Sequence, residues 1–309
     1  MLRVEAVDSK GQRLIICPSE KIVIRSGAEV PADIFEGVFV QEITEELAFL
    51  KVFRGDTLIF EGVVDEQITT YSERVYTQVV ARSYAALLLD NEAVPQSFVS
   101  PDFEVIFKRY LEPLGFEGYE GENIKLKGEF KVTKGMSCYK VLENFLSKAD
   151  CPMPHIRGRK IDLTCGGTDT LTEFSDKERA GTIRYTSLKD SRRRCELLSE
   201  IRVRTGEESL YPVTLRDEDA SDRGIVRVRY LNSSMQGGIY KRTAESMMKK
   251  ARQKEQSIVI ECIGCLTHLL SCPAKVTRGD RVYEGCFVGE LTYTLSKNDE
   301  NTRITLLKL

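Results

Sequence analysis

No tryptophan occurs among the 309 residues, and there are only two histidines, His155 and His268. Without tryptophan, the usual stacking platform of a carbohydrate-binding surface is missing. With two histidines, the commonest general base is scarce. There is no Gly-x-Ser-x-Gly elbow and no glycine-rich phosphate loop ending in Gly-Lys-Ser/Thr, so serine-hydrolase and nucleotide-binding signatures are both lacking. No run approaches the roughly 20 apolar residues of a membrane helix. The first eleven residues hold Arg3, Glu5, Asp8 and Lys10 rather than the apolar core of a secretory signal. Charge of one sign is also lacking: 45 Lys and Arg face 47 Asp and Glu, giving a net charge of −2. That balance argues against nucleic-acid sequence readout, which uses a basic face. Arg192-Arg193-Arg194 is a local exception and reads as a solvated turn.

What is present is β-patterned sequence punctuated by turns. Leu2, Val4 and Ala6 alternate with polar residues up to Asp8-Ser9-Lys10-Gly11, and Gln12 to Ile16 continues beyond that turn. Lys21–Arg25, Ile34–Glu42 and Leu47–Phe53 follow. The stretch Phe53–Arg82 then alternates around two turns, Arg54-Gly55-Asp56 and Tyr71-Ser72-Glu73-Arg74, as a β-meander does. Five to seven strands in about 80 residues predict a small barrel or sandwich. A short helix from Tyr84 to Asp90, capped by Ser83, is expected to plug or flank it.

The middle of the chain changes period. Ser100-Pro101-Asp102 reads as a helix start with Ser100 as cap, and Phe103, Ile106, Phe107, Tyr110 and Leu111 share one helical face. Cys138, Val141, Leu142, Phe145, Leu146 and Ala149 repeat that spacing in a second helix, from about Ser137 to Asp150, stopped by Pro152 and Pro154. His155 to Leu163 reads as a hairpin around Arg157-Gly158-Arg159. From Gly181 the pattern is β again, interrupted by a mostly polar helix from Thr243 to about Lys254. The division predicted is an N-terminal β-barrel module over 1–95, an α/β middle domain with two amphipathic helices and a hairpin over 96–180, and a C-terminal β-barrel module with an inserted helix over 181–309. The class is α+β, mainly β.

The opening meander has an echo. At an offset of 227 positions Phe60 meets Phe287, Gly62 meets Gly289, Ile68 meets Leu295 and Glu73 meets Glu300. Arg278-Gly279-Asp280 repeats Arg54-Gly55-Asp56, with a three-residue gap. Two copies of one β-module with an insert between them would produce this pattern. Both Arg-Gly-Asp triplets stand where a hairpin turn is needed, so they read as turns rather than adhesion motifs.

Candidate chemistry is sparse. Cys262, Cys265, His268 and Cys272 have the spacing Cys-x2-Cys-x2-His-x3-Cys and are the one set of potential zinc ligands. Cys262 ends an alternating strand and the surroundings of His268 are apolar, so the reading is no catalytic residue, no cofactor and no metal, with these four as the minor alternative. Nine cysteines in a chain without a secretory signal read as buried thiols of a reducing compartment. Gly166-Gly167 is a glycine pair in a turn. Asp217, Glu218 and Asp219 read as a solvated loop.

Several local patterns together resemble the tail baseplate hub proteins of contractile phages and phage-like particles, the Mu-type and late-control-D-type hub family, which is related to the base of VgrG spikes. They are Phe60-x-Gly62-x-Val64, Ala81-Arg82-Ser83-Tyr84-Ala85-Ala86-Leu87-Leu88, Gly135-Met136-Ser137 with Val141-Leu142-x-x-Phe145, and the ending Phe287-x-Gly289, Tyr293-x-Leu295 and Glu300-x-Thr302-x-Ile304. The resemblance implies a structural protein rather than an enzyme. It implies a homotrimer whose two similar barrels per chain make a quasi-six-fold ring, placed between a six-fold tail tube and a three-fold spike, with other baseplate proteins around it. It implies assembly in the bacterial cytoplasm and a final place in a virion or phage-like particle such as a bacteriocin or injection system. Lysis in such assemblies usually belongs to an appended domain or another chain, and the length here leaves no room expected for one. Two other classes stay open: a tail-associated cell-wall hydrolase, with Glu200 or Asp217 as acids, and a receptor- or carbohydrate-binding β module.

Overall fold

The computed structural model describes residues 2–16, 19–154, 156, 158–164, 170–204, 211–232 and 239–308. Half of the chain is strand and 18% helix, which makes it mainly β. It divides into two compact units. The first comprises Met1–Thr170, Ile263–Cys272 and Gly289–Arg303; the second comprises Leu171–Cys262, Pro273–Val288 and Ile304–Leu309.

The first unit opens with seven strands: β1 (Leu2–Asp8), β2 (Arg13–Ile16), β3 (Ser19–Gly27), β4 (Ile34–Phe39), β5 (Leu47–Arg54), β6 (Thr57–Thr70) and β7 (Tyr76–Ser83). They neighbour one another antiparallel in the order β3-β4-β7-β6-β5-β1-β2. Alternation decides what they bury. Val4, Ala6, Ile22, Ile24, Phe35, Phe39, Leu50, Val52, Phe60, Val79 and Ala81 all point into one core, because successive side chains of a strand take opposite faces. The first turn is held by Asp8, whose Oδ1 accepts from the backbone N–H of Lys10 (2.9 Å) and Gln12 (2.7 Å).

After β7 the first unit becomes α/β. Its elements are α1 (Ala85–Asp90), β8 (Gln96–Val99), α2 (Phe103–Ile106), β9 (Gly118–Glu120), β10 (Glu129–Val132), α3 (Cys138–Lys148) and β11 (Lys160–Asp162). The two apolar stripes expected from the sequence do meet. Phe103, Ile106, Phe107, Tyr110 and Leu111 join Val141, Leu142, Phe145 and Leu146 in one buried cluster with Ala85, Ala86 and Leu88 of α1. The caps are partly different from expectation. Ser137 caps α3, accepting from Lys140 N–H at 3.2 Å. Asp102, not Ser100, caps α2, accepting from Val105 N–H at 3.0 Å, while Ser100 takes a positive φ of 50°. The first helix is also shorter in α-form than its stripe: it passes into a π-turn over Phe107–Leu111 and a 3-10 turn over Glu112–Leu114, ending at Gly115 with φ +87°. Ser83 does not cap α1. Its hydroxyl accepts from Asp33 N–H (3.0 Å) and donates to the Ile156 carbonyl (3.3 Å). In place of the expected hairpin, β11 pairs in parallel with β9, Ile161 opposite Tyr119. Residues 155 and 157 of that expected hairpin lie outside the described residues.

The rest of the chain adds β12 (Thr172–Ser175), β13 (Ile183–Arg192), β14 (Glu200–Arg204), β15 (Val213–Arg216), α4 (Glu218–Asp222), β16 (Val228–Asn232), α5 (Ile239–Glu255), β17 (Gln256–Ile263), β18 (Pro273–Arg278), β19 (Arg281–Ser296) and β20 (Glu300–Lys308); of these, β19 from Gly289 on and β20 up to Arg303 belong to the first unit. Six of them close a barrel in the order β18-β12-β13-β17-β20-β19, with β19 pairing back to β18. Strand β12 is the closing piece and runs parallel to both neighbours. The strands predicted between 197 and 231 are not part of this barrel. They form a separate three-stranded sheet, β15-β14-β16, with α5 packed on one face through Ala244, Met248 and Ala251 against Ile201 and Val203. The insert is therefore three strands and two helices rather than one helix. Alternation reports which residues of a strand are buried, not which sheet the strand joins.

The echo of the opening meander holds at the level of hairpins and not residue by residue. Arg54 pairs with Thr57 around Gly55 (φ +60°), and Arg278 pairs with Arg281 around Gly279 (φ +57°). In each turn only the glycine has positive φ, the arrangement of a type II′ turn. Phe60 lies three residues past its turn, opposite Val52. Phe287 lies six past its own, opposite Pro273. The three-residue gap is thus a longer hairpin, with both arms extended. The burial phase does not carry over: Phe60 is buried, whereas Phe287 is half-buried between buried Cys286 and Val288.

Candidate functional site

The best-defined cavity, about 250 Å³, lies within the first unit at the opening Arg-Gly-Asp turn. Its lining includes Arg54, Thr57, Phe60, Glu61, Cys265 and His268. Arg54 reaches it from the end of β5 and forks onto Glu300, Nε to Oε1 at 2.6 Å and Nη2 to Oε2 at 2.8 Å. The phenol of fully buried Tyr293 donates to the same Oε1 at 2.9 Å. Paired donors of this kind are charge-assisted and directional. They hold the Glu300 carboxyl below its ordinary range, with the Arg54 hydrogen bond the largest cause. Burial first, then the bond to Glu300, pushes the Tyr293 phenol up.

A carboxyl with a depressed folded value contributes stability above its unfolded value of about 4.3 and loses that contribution as pH falls through the folded value. Glu300→Gln is expected to lower the urea midpoint at pH 7, and the gap to wild type is expected to narrow steadily below about pH 4. A gap that stays constant from pH 7 to pH 3 would rule out an ionic role for Glu300.

The four candidate zinc ligands are distributed unevenly. Cys265 and His268 both line the cavity, with Cys265 Sγ 3.7 Å from the Thr267 hydroxyl. Cys272 is buried in the first unit, and Cys262 is buried in the barrel wall of the second, opposite Tyr185. Burial pushes the Cys262 thiol up to about 12, far from the thiolate that ligates metal. Among the described residues no group of three or more His, Cys, Asp or Glu side chains converges as a metal site. The loop carrying Cys265 is instead fixed by Thr302, whose hydroxyl donates to Gly264 O (2.6 Å) and accepts from Leu266 N–H (3.1 Å). Cys17, Cys165 and Gly166-Gly167 lie outside the described residues.

The candidate acids have structural partners. Glu200 accepts from Arg202 at 2.7 Å, and Asp217 both caps α4 and accepts from Arg252 at 2.5 Å. Those arginine hydrogen bonds are the largest cause holding both carboxyls below their ordinary range. A general acid needs the opposite shift. Arg194 donates to Arg223 O at 2.7 Å, so part of the triple-arginine turn ties down the insert.

Sequence reasoning missed two further clusters. Arg82 forks onto Asp65 (2.6 and 2.9 Å) and reaches Asp90 at 2.7 Å. Arg159 stacks over Tyr84 (4.6 Å to the ring centre) and donates to its hydroxyl at 2.8 Å. The Arg54–Glu300 pair joins residues 246 positions apart, so no local pattern could have announced it.

The fold, mainly β with a closed six-stranded barrel and a few helices, matches that of phage tail proteins. The chain is similar along 99% of its length to the 43 kDa tail protein of prophage MuSo2 from Shewanella oneidensis, with 12% identity, 98% of that chain covered and a TM-score of 0.79. It is similar to the tail protein of Neisseria meningitidis MC58 with 14% identity, coverage of 99% and 96%, and a TM-score of 0.74. A type VI secretion component of E. coli, itself described as similar to the T4 tail proteins gp27 and gp5, matches with 9% identity, coverage of 100% and 77%, and a TM-score of 0.54. No family model matches the sequence. No curated protein matches it either. Among the described residues, no helix is long and apolar enough to cross a membrane.

Proposed function

We propose that the chain is the structural hub of a contractile-tail baseplate. Three copies form a ring whose six barrel modules meet a six-fold tail tube, and the ring's other side carries a three-fold spike. The observation that supports this most is the match to phage tail proteins along the whole chain rather than over one barrel. Likeness to a solved Francisella PdpA-VgrG complex supports a spike partner. Recurrence of the Arg-Gly-Asp hairpin at residues 54–57 and 278–281 supports two related modules per chain. A duplicated module lets three-fold symmetry present six similar surfaces. The protein acts without catalysis and without a cofactor, is made in the bacterial cytoplasm, and ends in a virion or phage-like particle beside other baseplate proteins.

Light scattering on the purified protein, alone and with its spike protein, tests the reading. The expected mass is three times 35.0 kDa for the hub component, and electron microscopy is expected to show a ring with a central channel. A strict monomer in the presence of both spike and tube proteins would overturn the proposal.

A further inference from the structure

Charge is partitioned along this chain in a way its net value hides. Residues 193–255 form the insert between Arg192 and Gln256, which pair with each other across β13 and β17. The insert holds 14 Lys and Arg against 10 Asp and Glu, and the remainder holds 31 against 37. A net −2 is therefore a basic insert of +4 carried on an acidic remainder of −6.

The insert's sheet also has a face turned away from α5. Helix α5 covers one side of β15-β14-β16. Register places Glu200, Arg202 and Arg204 of β14 on the other side, with Thr214 and Arg216 of β15 and Val228 and Tyr230 of β16. Tyr230 is 57% exposed and Arg216 is exposed. The Arg202 guanidinium lies 5.9 Å over the Tyr230 ring, and Tyr211 packs edge-on against that ring at 5.0 Å. Exposed arginine and tyrosine together are the composition of protein interface cores. A nucleic-acid strand fits less well, because Glu200 stands in the face and its carboxylate is held ionised by Arg202.

We infer that this sheet face docks onto a second copy of the chain, against the acidic stretch from Glu112 to Glu122. That stretch exposes Glu112, Glu117, Glu120 and Glu122 and contains no Lys or Arg. Among the described residues its ion pairs are loose ones, Glu117 with Arg159 and Glu120 with Lys160, both at 3.9 Å. A cyclic trimer is built from heterologous contacts, in which each chain offers two different and complementary patches. A basic aromatic face and an acidic stretch on the same chain are such a pair, and opposite potentials also set register and speed encounter. The inference rests on the trimeric hub reading.

Sedimentation at 50 and 500 mM salt, with spike protein present, tests it. Wild type is expected to be trimeric and to dissociate at least tenfold more readily at the higher salt. Arg204→Glu with Arg216→Glu is expected to give monomers, and so is Glu117→Arg with Glu120→Arg. Combining all four substitutions in one chain is expected to restore the trimer, which a folding defect would not do. A trimer that survives either reversal overturns the docking surface and leaves the hub reading standing. Failure of the combined variant to restore the trimer overturns the choice of the acidic stretch. A wild type that stays monomeric overturns both readings.

Discussion

Gly62→Ala is expected to destabilise the protein by at least about 3 kcal/mol. Gly62 stands in β6 opposite Ser83 of β7. A Cβ there would overlap the Arg82 carbonyl oxygen and lie 2.7 Å from its carbon and 3.0 Å from the Ser83 Cα. All three are backbone atoms inside a ladder, so no side chain can swing away. The strand must move, which also disturbs the Arg82 fork onto Asp65 and Asp90. Gly11→Ala is the contrasting case. Gly11 has φ +83° but open space around the position of a Cβ, so the expected loss is only the left-handed penalty of about 1–2 kcal/mol. Urea midpoints of the two variants measure the difference. Equal losses would mean that backbone overlap at Gly62 is not what keeps a glycine there.

Phe145→Ala is expected to cost about 3–5 kcal/mol, within the range for emptying a fully buried aromatic site. Phe145 is fully buried. Its ring lies 5.8 Å from Phe103 and 5.6 Å from Phe130, the latter edge to face. The loss should be felt first where the side chain is anchored, so amide exchange in α3 is expected to accelerate before exchange in β4 or β7. Val105→Ala, at an exposed position of α2, is expected to change stability by less than about 0.5 kcal/mol. Equal protection of α3 in wild type and Phe145→Ala would contradict the role assigned to this ring.

The two cases show which features the sequence could disclose. The stripe containing Phe145 and the Ser137 cap were legible because a helix repeats its buried face every three or four residues and ends at a recognisable side chain. The strands from Leu2 to Ser83 were legible because alternation and turn residues are equally local. The closing of the C-terminal barrel was not legible. It depends on β12, four residues long, running parallel to two strands that follow it in sequence, one of them about 100 residues later. The insert misled for a related reason: Ile201 and Val203 alternate as barrel residues would but face α5. The candidate zinc cluster looked coherent in sequence because its four ligands fall within eleven residues. The chain turns sharply there, at Gly264 with φ +95° and Ser271 with φ +67°, and Cys262 remains in a strand while His268 faces the cavity. For Arg54 and Glu300 the sequence held only an arginine in a turn and a glutamate in a distant hairpin.

Strands β19 and β20 each give residues to both compact units, and this has a consequence for synthesis. Strand β3 pairs with β4 on one edge as soon as both are made, but its other edge is filled only when Gly27 meets Glu290 and Lys21 meets Ser296. At about 5–20 residues per second, a ribosome takes on the order of 10–50 s to deliver that partner. The six-stranded barrel waits for the same two strands. Neither unit can finish folding until β19 and β20 have been made, so the two reach their final form almost together. The open edge of β3 is exposed throughout that interval, which makes the nascent chain rather than the finished protein the species most in need of a chaperone.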